Sequence, residues 1–479
     1  MRILHIFIIC TYLKFIANID ENEVNVWGPG LRPQEIIMPT RYFFIKLKKN
    51  QTNNELKVFL QGNKNGRLCR IRTNLLKRRD GTCIFRYKLY ESCDILQINV
   101  MYNDTHVGKS PYKYDSIFAD ECNCPIDMNS WLHKWECPIV PEKILKDLKE
   151  FNEIDWNSLR EQTINAFDKP GSISVCHYII KNNLIYRRCY GKYTGFKMFV
   201  DNILLSLSRK VILSDTEFFV NLGDWPLSSQ TAKYPILSWC GSKDSFDIVM
   251  PTYDLTESTL ENLGRVTLDM LSVQGNVNME WKDRIPKAFW RGRDSNKERL
   301  KLIDISRQHS DLYNVSLTNF FFFRDKEKEY GPKADHVSLF SFFDYKYQIN
   351  IDGTVAAYRL PYLLGGGSLI FKQHSPYYEH FYDDLIANVH YIPIKRDLSD
   401  LTEKIKWAIS NDKEAYKIAV QGQIFAVNHL LPTDIFCYYS HLINELSKKI
   451  ISPIIVLDDM ELVEQDTIVH CECRIKDEL

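Results

Sequence analysis

Tyr347 to Arg359 reads YQINIDGTVAAYR. A buried strand runs into Gly353, Thr354 is suited to cap a helix, and the first turn of that helix carries the small residues Val355, Ala356 and Ala357. A strand that hands over to a helix in this way belongs to a largely parallel α/β sheet covered on both faces. Small side chains let a diphosphate approach the free amides of the helix start closely. Tyr358 and Arg359 follow, and the guanidinium lies a little over one turn away, in reach of the same anion. Pro361 kinks or shortens the helix. Close packing of helix on sheet also favours alanines, so both readings stand on this segment alone.

A second unit of the same kind precedes it. Phe289-Trp290-Arg291-Gly292-Arg293-Asp294-Ser295-Asn296 passes from a strand through a Gly turn into Lys297-Glu298-Arg299-Leu300, with Asp294 or Ser295 as the expected cap. Arg291, Arg293 and Arg299 beside a helix start suit a phosphate. The alternative is a surface turn whose arginines pair with Asp294 and Glu298. Two strand–Gly–helix units in one half of the chain, each with arginine, weaken the packing-only reading. Gly365-Gly366-Gly367-Ser368 lacks the lysine of a phosphate loop and reads as the end of a helix.

The same alternation extends outward. Phe196, Phe199, Val200, Ile203, Leu204 and Leu207 fall at helical spacing. DIVMP, KAFW, SLIF and VHYIPI are short apolar strands, and helices are expected over 297–308, 401–409 and 414–430. In such sheets ligands bind outside the carboxyl ends of the strands. FFVNLGDWPL, Phe218 to Leu227, ends a buried strand by setting Asp224 beside Trp225. A turn explains Gly, Asp and Pro in that order. A catalytic base tuned by an apolar neighbour explains them too.

Upstream, FFIKLKK, LKVFLQG, CRIRTNLL, TCIFRYKLY and ILQINVMY are alternating runs separated by turn residues, the pattern of a small β-sandwich over 22–120. Residues 121–145, rich in Cys, Trp and Pro, read as a linker. The 479 residues exceed one core and imply two or three domains. A net charge of +0 gives no global field for nucleic acid.

The ends address a compartment. Residues 1–19 carry a charged start and an apolar core too short to span a bilayer, a cleavable secretory signal. No later run reaches the length of a membrane helix. Lys476-Asp477-Glu478-Leu479 is the retention address of the endoplasmic reticulum lumen, read by the KDEL receptor. Its tail, 457–479, begins acidic and is expected to be extended. Thirteen cysteines, one of them inside the signal, leave an even number for disulfides in an oxidising lumen. Asn50, Asn103 and Asn314 head possible N-glycan sequons. No Asp-x-Asp, Gly-x-Ser-x-Gly or His-Glu-x-x-His occurs. A diphosphate leaving group would therefore be neutralised by arginine and helix dipoles.

Val26-Trp27-Gly28-Pro29-Gly30-Leu31, Gly81-Thr82-Cys83 to Tyr87, and His106-Val107-Gly108-Lys109-Ser110-Pro111 resemble a filamin-type immunoglobulin-like repeat. NLGDWPL, SWCGS, DIVMPTYDLT, AFWRGRDSNKERL, TNFFFF and YKYQINIDGTVAAYRLPYLL resemble the Rumi-type protein O-glucosyltransferases, in the KDEL-containing branch that carries such a repeat. The resemblance covers nearly the whole mature chain. It implies a GT-B transferase over 146–456, with two Rossmann-like halves. It implies UDP-glucose as donor, with UDP-xylose also used by some relatives, and no metal or other cofactor. The acceptor implied is serine in EGF-like repeats of secreted or membrane proteins such as Notch. Inversion at the sugar carbon needs one base, which the resemblance carries onto Asp224, with Trp225 walling the site. It carries donor contacts onto Arg293, Arg299, and Thr354 to Arg359; Arg293 departs from the Ser of several relatives. A non-enzymatic lumenal chaperone or scaffold for EGF-like modules is the alternative.

Overall fold

The computed structural model describes residues 24–48, 55–78, 80–261, 263, 268–277, 279–465, 471 and 473. Residues 1–19, read above as a secretory signal, Asn50 and Lys476-Asp477-Glu478-Leu479 lie outside them. The chain divides into two compact units, 1–119 and 120–479.

The first unit is a β-sandwich. Its strands are β1 (Asn25–Trp27), β2 (Arg41–Lys46), β3 (Leu56–Lys64), β4 (Arg67–Leu68), β5 (Ile71–Lys77), β6 (Thr82–Leu89), β7 (Cys93–Tyr102), β8 (Thr105–His106) and β9 (Tyr112–Ile117). One sheet runs β1-β2-β6-β5; the other runs β4-β3-β7-β8, with β9 also on β7. Alternate residues of both sheets, among them Phe43, Phe85, Tyr87, Leu96, Ile98 and Val100, fill one core. The Tyr87 hydroxyl donates to the Gly30 carbonyl at 2.6 Å, and Cys69 is bonded to Cys93.

The second unit begins with α1 (Met128–Lys134), α2 (Glu142–Leu148) and α3 (Trp156–Phe167). A sheet follows, built from β10 (Val175–Lys181), β11 (Leu184–Tyr190), β12 (Thr216–Asn221), β13 (Ile236–Ser238) and β15 (Ile248–Val249), with the short β14 (Gly241–Ser242) outside it and paired with β20 (Tyr377–Tyr378). Helices α4 (Lys197–Ser208), α5 (Tyr253–Leu260) and α6 (Met270–Gly275) accompany it. The order is β15-β13-β12-β10-β11, with the late strand β22 (Glu461–Leu462) on the far edge. Only β12, β13 and β15 are parallel; β10 and β11 form an antiparallel hairpin. The sheet is thus mixed where a largely parallel one is expected. The cause is local: Asn182 and Asn183 take φ of 52° and 61°, and a two-residue turn of that hand can join only antiparallel strands.

The second sheet comprises β16 (Ile285–Arg293), β17 (Tyr313–Asn319), β18 (Tyr345–Asn350), β19 (Leu369–Gln373) and β21 (Ile392–Ile394). They run in the order β17-β16-β18-β19-β21, all parallel. Helices α7 (Lys297–Gln308), α8 (Leu360–Gly365), α9 (Leu401–Ser410), α10 (Asp412–His429) and α11 (Pro432–Ser447) belong to the same stretch of chain. The spans of α7, α9 and α10 match the sequence pattern closely, and Gly367 follows the end of α8 at φ 68° as the glycine run predicts. The chain turns opposite ways from β16 and from β18, so the crevice of a doubly wound sheet opens between these two strands.

A further expectation changes. Residues 121–145 are not a linker but part of the second unit. Trp131 and Trp135 are buried with rings 4.6 Å apart, and Cys137 is bonded to Cys437 on α11. The tail over 457–465 is tied to the same unit. Glu461 pairs with Arg187, Asp459 pairs with Arg188, and Cys471 and Cys473 are bonded to Cys122 and Cys124. With Cys176–Cys189, five disulfides form among the described residues, which fits an oxidising compartment. No helix among those residues is long and apolar enough to cross a membrane.

Candidate active site

Asp224 stands just past the carboxyl end of β12, a strand buried along its whole length. Its turn is held from beneath by Asn221, which is fully buried. The Asn221 Oδ1 accepts from Gly223 N at 2.8 Å, an Asx-type turn, while Nδ2 donates to Trp225 O at 2.6 Å and Ser238 Oγ at 3.1 Å. Ser238 Oγ donates to Asp247 Oδ1 at 2.6 Å, and the Asp247 carboxylate accepts from Leu227 N and Ser228 N, both at 2.9 Å. Glycine is required at 223, because a Cβ there would lie 2.5 Å from Ile173 Cγ2.

The Asp224 carboxylate accepts no hydrogen bond among the described residues. Burial raises its pKa above the ordinary carboxylate value, and the positive charge of Arg293 opposes that rise. The indole of Trp225 does not wall the site: it is 47% exposed, and the aromatic rings lining the cleft with Asp224 are Tyr253, Tyr358 and Phe342. Asp254 lines it too, its pKa pushed up to about 6 by burial and by the Asp224 charge.

The opposite wall is cationic. The cleft, about 420 Å³, is lined by Arg291, Arg293, Arg299 and Arg359 together with 353–358. That volume lies in the roughly 300–1,000 Å³ range of ligand clefts. Arg299 is buried and ties both Gly turns together. Its Nε donates to Asp352 O at 2.7 Å, Nη1 to Arg293 O at 2.9 Å and Ser295 Oγ at 3.2 Å, and Nη2 to Ile351 O at 3.3 Å. A Cβ at Gly353 would come within 3.1 Å of that Nη2, so the bare backbone gives Arg299 its place. Arg359 Nη1 donates to Arg291 O at 2.5 Å. Burial lowers Arg299 to about 9, assisted by the charges of Arg359 and Arg293; burial and Arg293 lower Arg359 to about 10. The nearest acids do not neutralise them. Asp294 accepts from the amides of Phe321, Phe322 and Phe323, and Asp352 accepts from Ser375 Oγ at 2.6 Å. Mutually repelling guanidiniums with no carboxylate in salt-bridge contact among the described residues make a floor that favours an anion.

The amides of Thr354, Val355, Ala356, Ala357 and Tyr358 donate to no acceptor among the described residues. They do not open a helix, however. Residues 351–359 form an irregular turn, and α8 starts only at Leu360, with Pro361 in its first turn. Proline has no N–H for the carbonyl four residues back and suits a first helical turn; the amides of 354–358 lie ahead of that turn and stay unpaired as a backbone nest. The Gly turn over 289–296 does open a helix, α7, but Asn296 caps it, accepting from Arg299 N at 3.0 Å; neither Asp294 nor Ser295 does.

Asn103 is exposed on a turn at φ 47°. The Asn314 amide is engaged: Nδ2 donates to Tyr345 Oη at 2.6 Å and Oδ1 accepts from Arg291 at 2.7 Å. The sequence reading gave no role to Tyr253, Asp254, Val337, Leu339 or Phe342, which line the cleft, nor to Asp247. DIVMPTYDLT contains three of them, yet nothing in its spacing distinguishes a cleft wall from a packed one. No group of His, Cys, Asp and Glu among the described residues is arranged to hold a metal ion.

An unpartnered acid facing an anion floor across one cleft is the equipment of a glycosyltransferase. The sequence profile of Glycosyl transferase family 90 matches residues 132–478, and the chain belongs to that family. The Filamin/ABP280 repeat profile matches residues 18–113. The chain is 48% identical over 474 residues to Protein O-glucosyltransferase 2 of Danio rerio, covering 95% of this chain and 94% of that one. It is 46% identical over 471 residues to Protein O-glucosyltransferase 3 of Homo sapiens, at 94% and 92% coverage. Against Protein O-glucosyltransferase 1 of Homo sapiens identity is 31% over 348 residues, at 69% and 86% coverage.

Proposed function

We propose that this enzyme transfers glucose from UDP-glucose to a serine hydroxyl in EGF-like repeats of secreted or membrane proteins, with inversion and without a metal ion. The observation that carries the reading is that Asp224, after β12, and Arg293, at the end of β16, line one cleft within electrostatic reach of each other. Serine is a weak nucleophile, and a carboxylate that accepts its proton as the oxygen attacks the sugar carbon supplies what it lacks. The leaving diphosphate would be stabilised by Arg293, Arg299, Arg359 and the amides of 354–358. Val337, Leu339 and Phe342 offer the apolar end that a nucleobase needs. The donor sugar then lies between the two walls, and UDP-xylose fits the same frame.

In this reading the two sheets of the second unit are the halves of a GT-B transferase. The retention sequence, its receptor and the disulfides agree with work in the endoplasmic reticulum lumen. The test is Asp224→Asn: transfer to a folded EGF-like repeat falls about 10²–10⁴-fold, while UDP affinity changes little. Full activity in that variant ends the base assignment.

A further inference from the structure

We propose that Tyr193, Phe196 and Trp225 form an aromatic platform on which the acceptor module sits while its serine enters the cleft. The proposal rests on the transferase reading above and adds the surface that recognises the protein substrate.

Three observations place these residues near the cleft that holds Asp224. Tyr193 N donates to Ser174 Oγ at 2.6 Å, and Leu222 N donates to the carbonyl of the same Ser174 at 3.0 Å. The loop after β11 is thereby laced to the residues that lead into Gly223 and Asp224. The ring of Phe196, at the start of α4, lies 4.7 Å from that of Tyr253, which lines the cleft with Asp224. Trp225 is the next residue after Asp224. All three rings are open to solvent, Tyr193 at 72%, Phe196 at 41% and Trp225 at 47%. The Tyr193 ring meets the ammonium of its neighbour Lys192, 5.3 Å from the ring centre.

The occupant follows from the chemistry. A serine inside a folded repeat cannot reach a half-buried carboxylate alone; the rest of its module must rest on the rim beside that carboxylate. On the β12 side the exposed aromatic residues of the neighbouring loops are Tyr193, Phe196 and Trp225. Rigid, amphipathic Tyr and Trp side chains give contact area at low entropic cost and recur as interface anchors. Lys192 and Lys197 flank the loop, so the module's contacting face is apolar with an acidic margin.

The experiment uses the full-length protein, UDP-glucose and a folded EGF-like repeat. Tyr193→Ala, and Tyr193→Ala combined with Phe196→Leu, are expected to raise the KM for the repeat about 10- to 30-fold, the scale of a lost anchor. Tyr193→Phe keeps most of the affinity. Hydrolysis of UDP-glucose by water and binding of UDP stay as in the wild type. An unchanged acceptor KM in both alanine variants overturns the platform. An equal loss of hydrolysis overturns it too, since the residues would then serve the donor side. Wild-type protein that hydrolyses UDP-glucose but leaves the repeat unmodified defeats the acceptor reading beneath the platform, and the platform with it.

Discussion

Asp247→Asn tests how the base is held without touching the base. The wild-type carboxylate divides its two oxygens among three donors: Oδ1 takes Leu227 N and Ser238 Oγ, Oδ2 takes Ser228 N. The amide has the same shape but only one acceptor oxygen. Whichever way it is turned, its NH₂ group faces an N–H, and at least one buried backbone donor loses its partner. That costs about 1–3 kcal/mol. Ser228 and Leu227 lie on the same short loop as Asp224, so relief of the clash moves the base. A penalty of about 2 kcal/mol borne by the reactive arrangement is about 30-fold in rate. We expect kcat for transfer to fall about 10- to 100-fold, with UDP affinity held within about twofold, because the cationic floor hangs on the other sheet and shares no bond with this network. Steady-state kinetics on a folded repeat, titration calorimetry with UDP and a thermal melt read the three quantities. A wild-type kcat refutes the reasoning, and so does a loss of UDP binding as large as the loss of rate.

Arg293→Gln removes the charge that favours ionised Asp224, so burial prevails and the carboxyl pKa rises further. A base acts deprotonated, and the acid limb of kcat/KM against pH is therefore expected at higher pH than in the wild type; an unmoved or lowered limb contradicts the electrostatic contact. Arg299→Lys leaves three donors on one nitrogen where four acceptors are now served by a planar fork. The melting temperature and UDP affinity should both fall, by about 2–4 kcal/mol in stability, and a variant equal to wild type in both shows that the two Gly turns hold themselves. Transfer is expected to continue in excess chelator, and a strict requirement for added Mn²⁺ contradicts the account of the leaving group.

Much of this was legible in the chain. The αβ alternation of the second unit follows from apolar runs, Gly stops and helical spacing, and α7, α9 and α10 appear where the pattern puts them. The two Gly turns stood out because arginines follow strands there. What misled was capping. Thr354 and Ala356-Ala357 look like a helix start, but the helix starts at Leu360, with Pro361 in its first turn, and the amides ahead of it form a nest. Asp294 looks like a cap, but a buried carboxylate is drawn to the three amides of the Phe321–Phe323 turn instead. Residues 121–145 look like a linker because cysteines and tryptophans reveal no partner until their partners arrive from α11 and the tail.

Sequence by itself determined the elements, their hand and the chemistry on offer, because backbone propensity and hydrophobic period act over a few residues. Only the tertiary structure decided that the acid after β12 and the arginines after β16 and β18 share one cleft. It also decided that Arg299 joins the two turns and that Asp247 fastens the loop carrying Asp224. These are contacts between residues far apart in the chain, and burial, charge and shape in the folded interior select them; no local pattern encodes them.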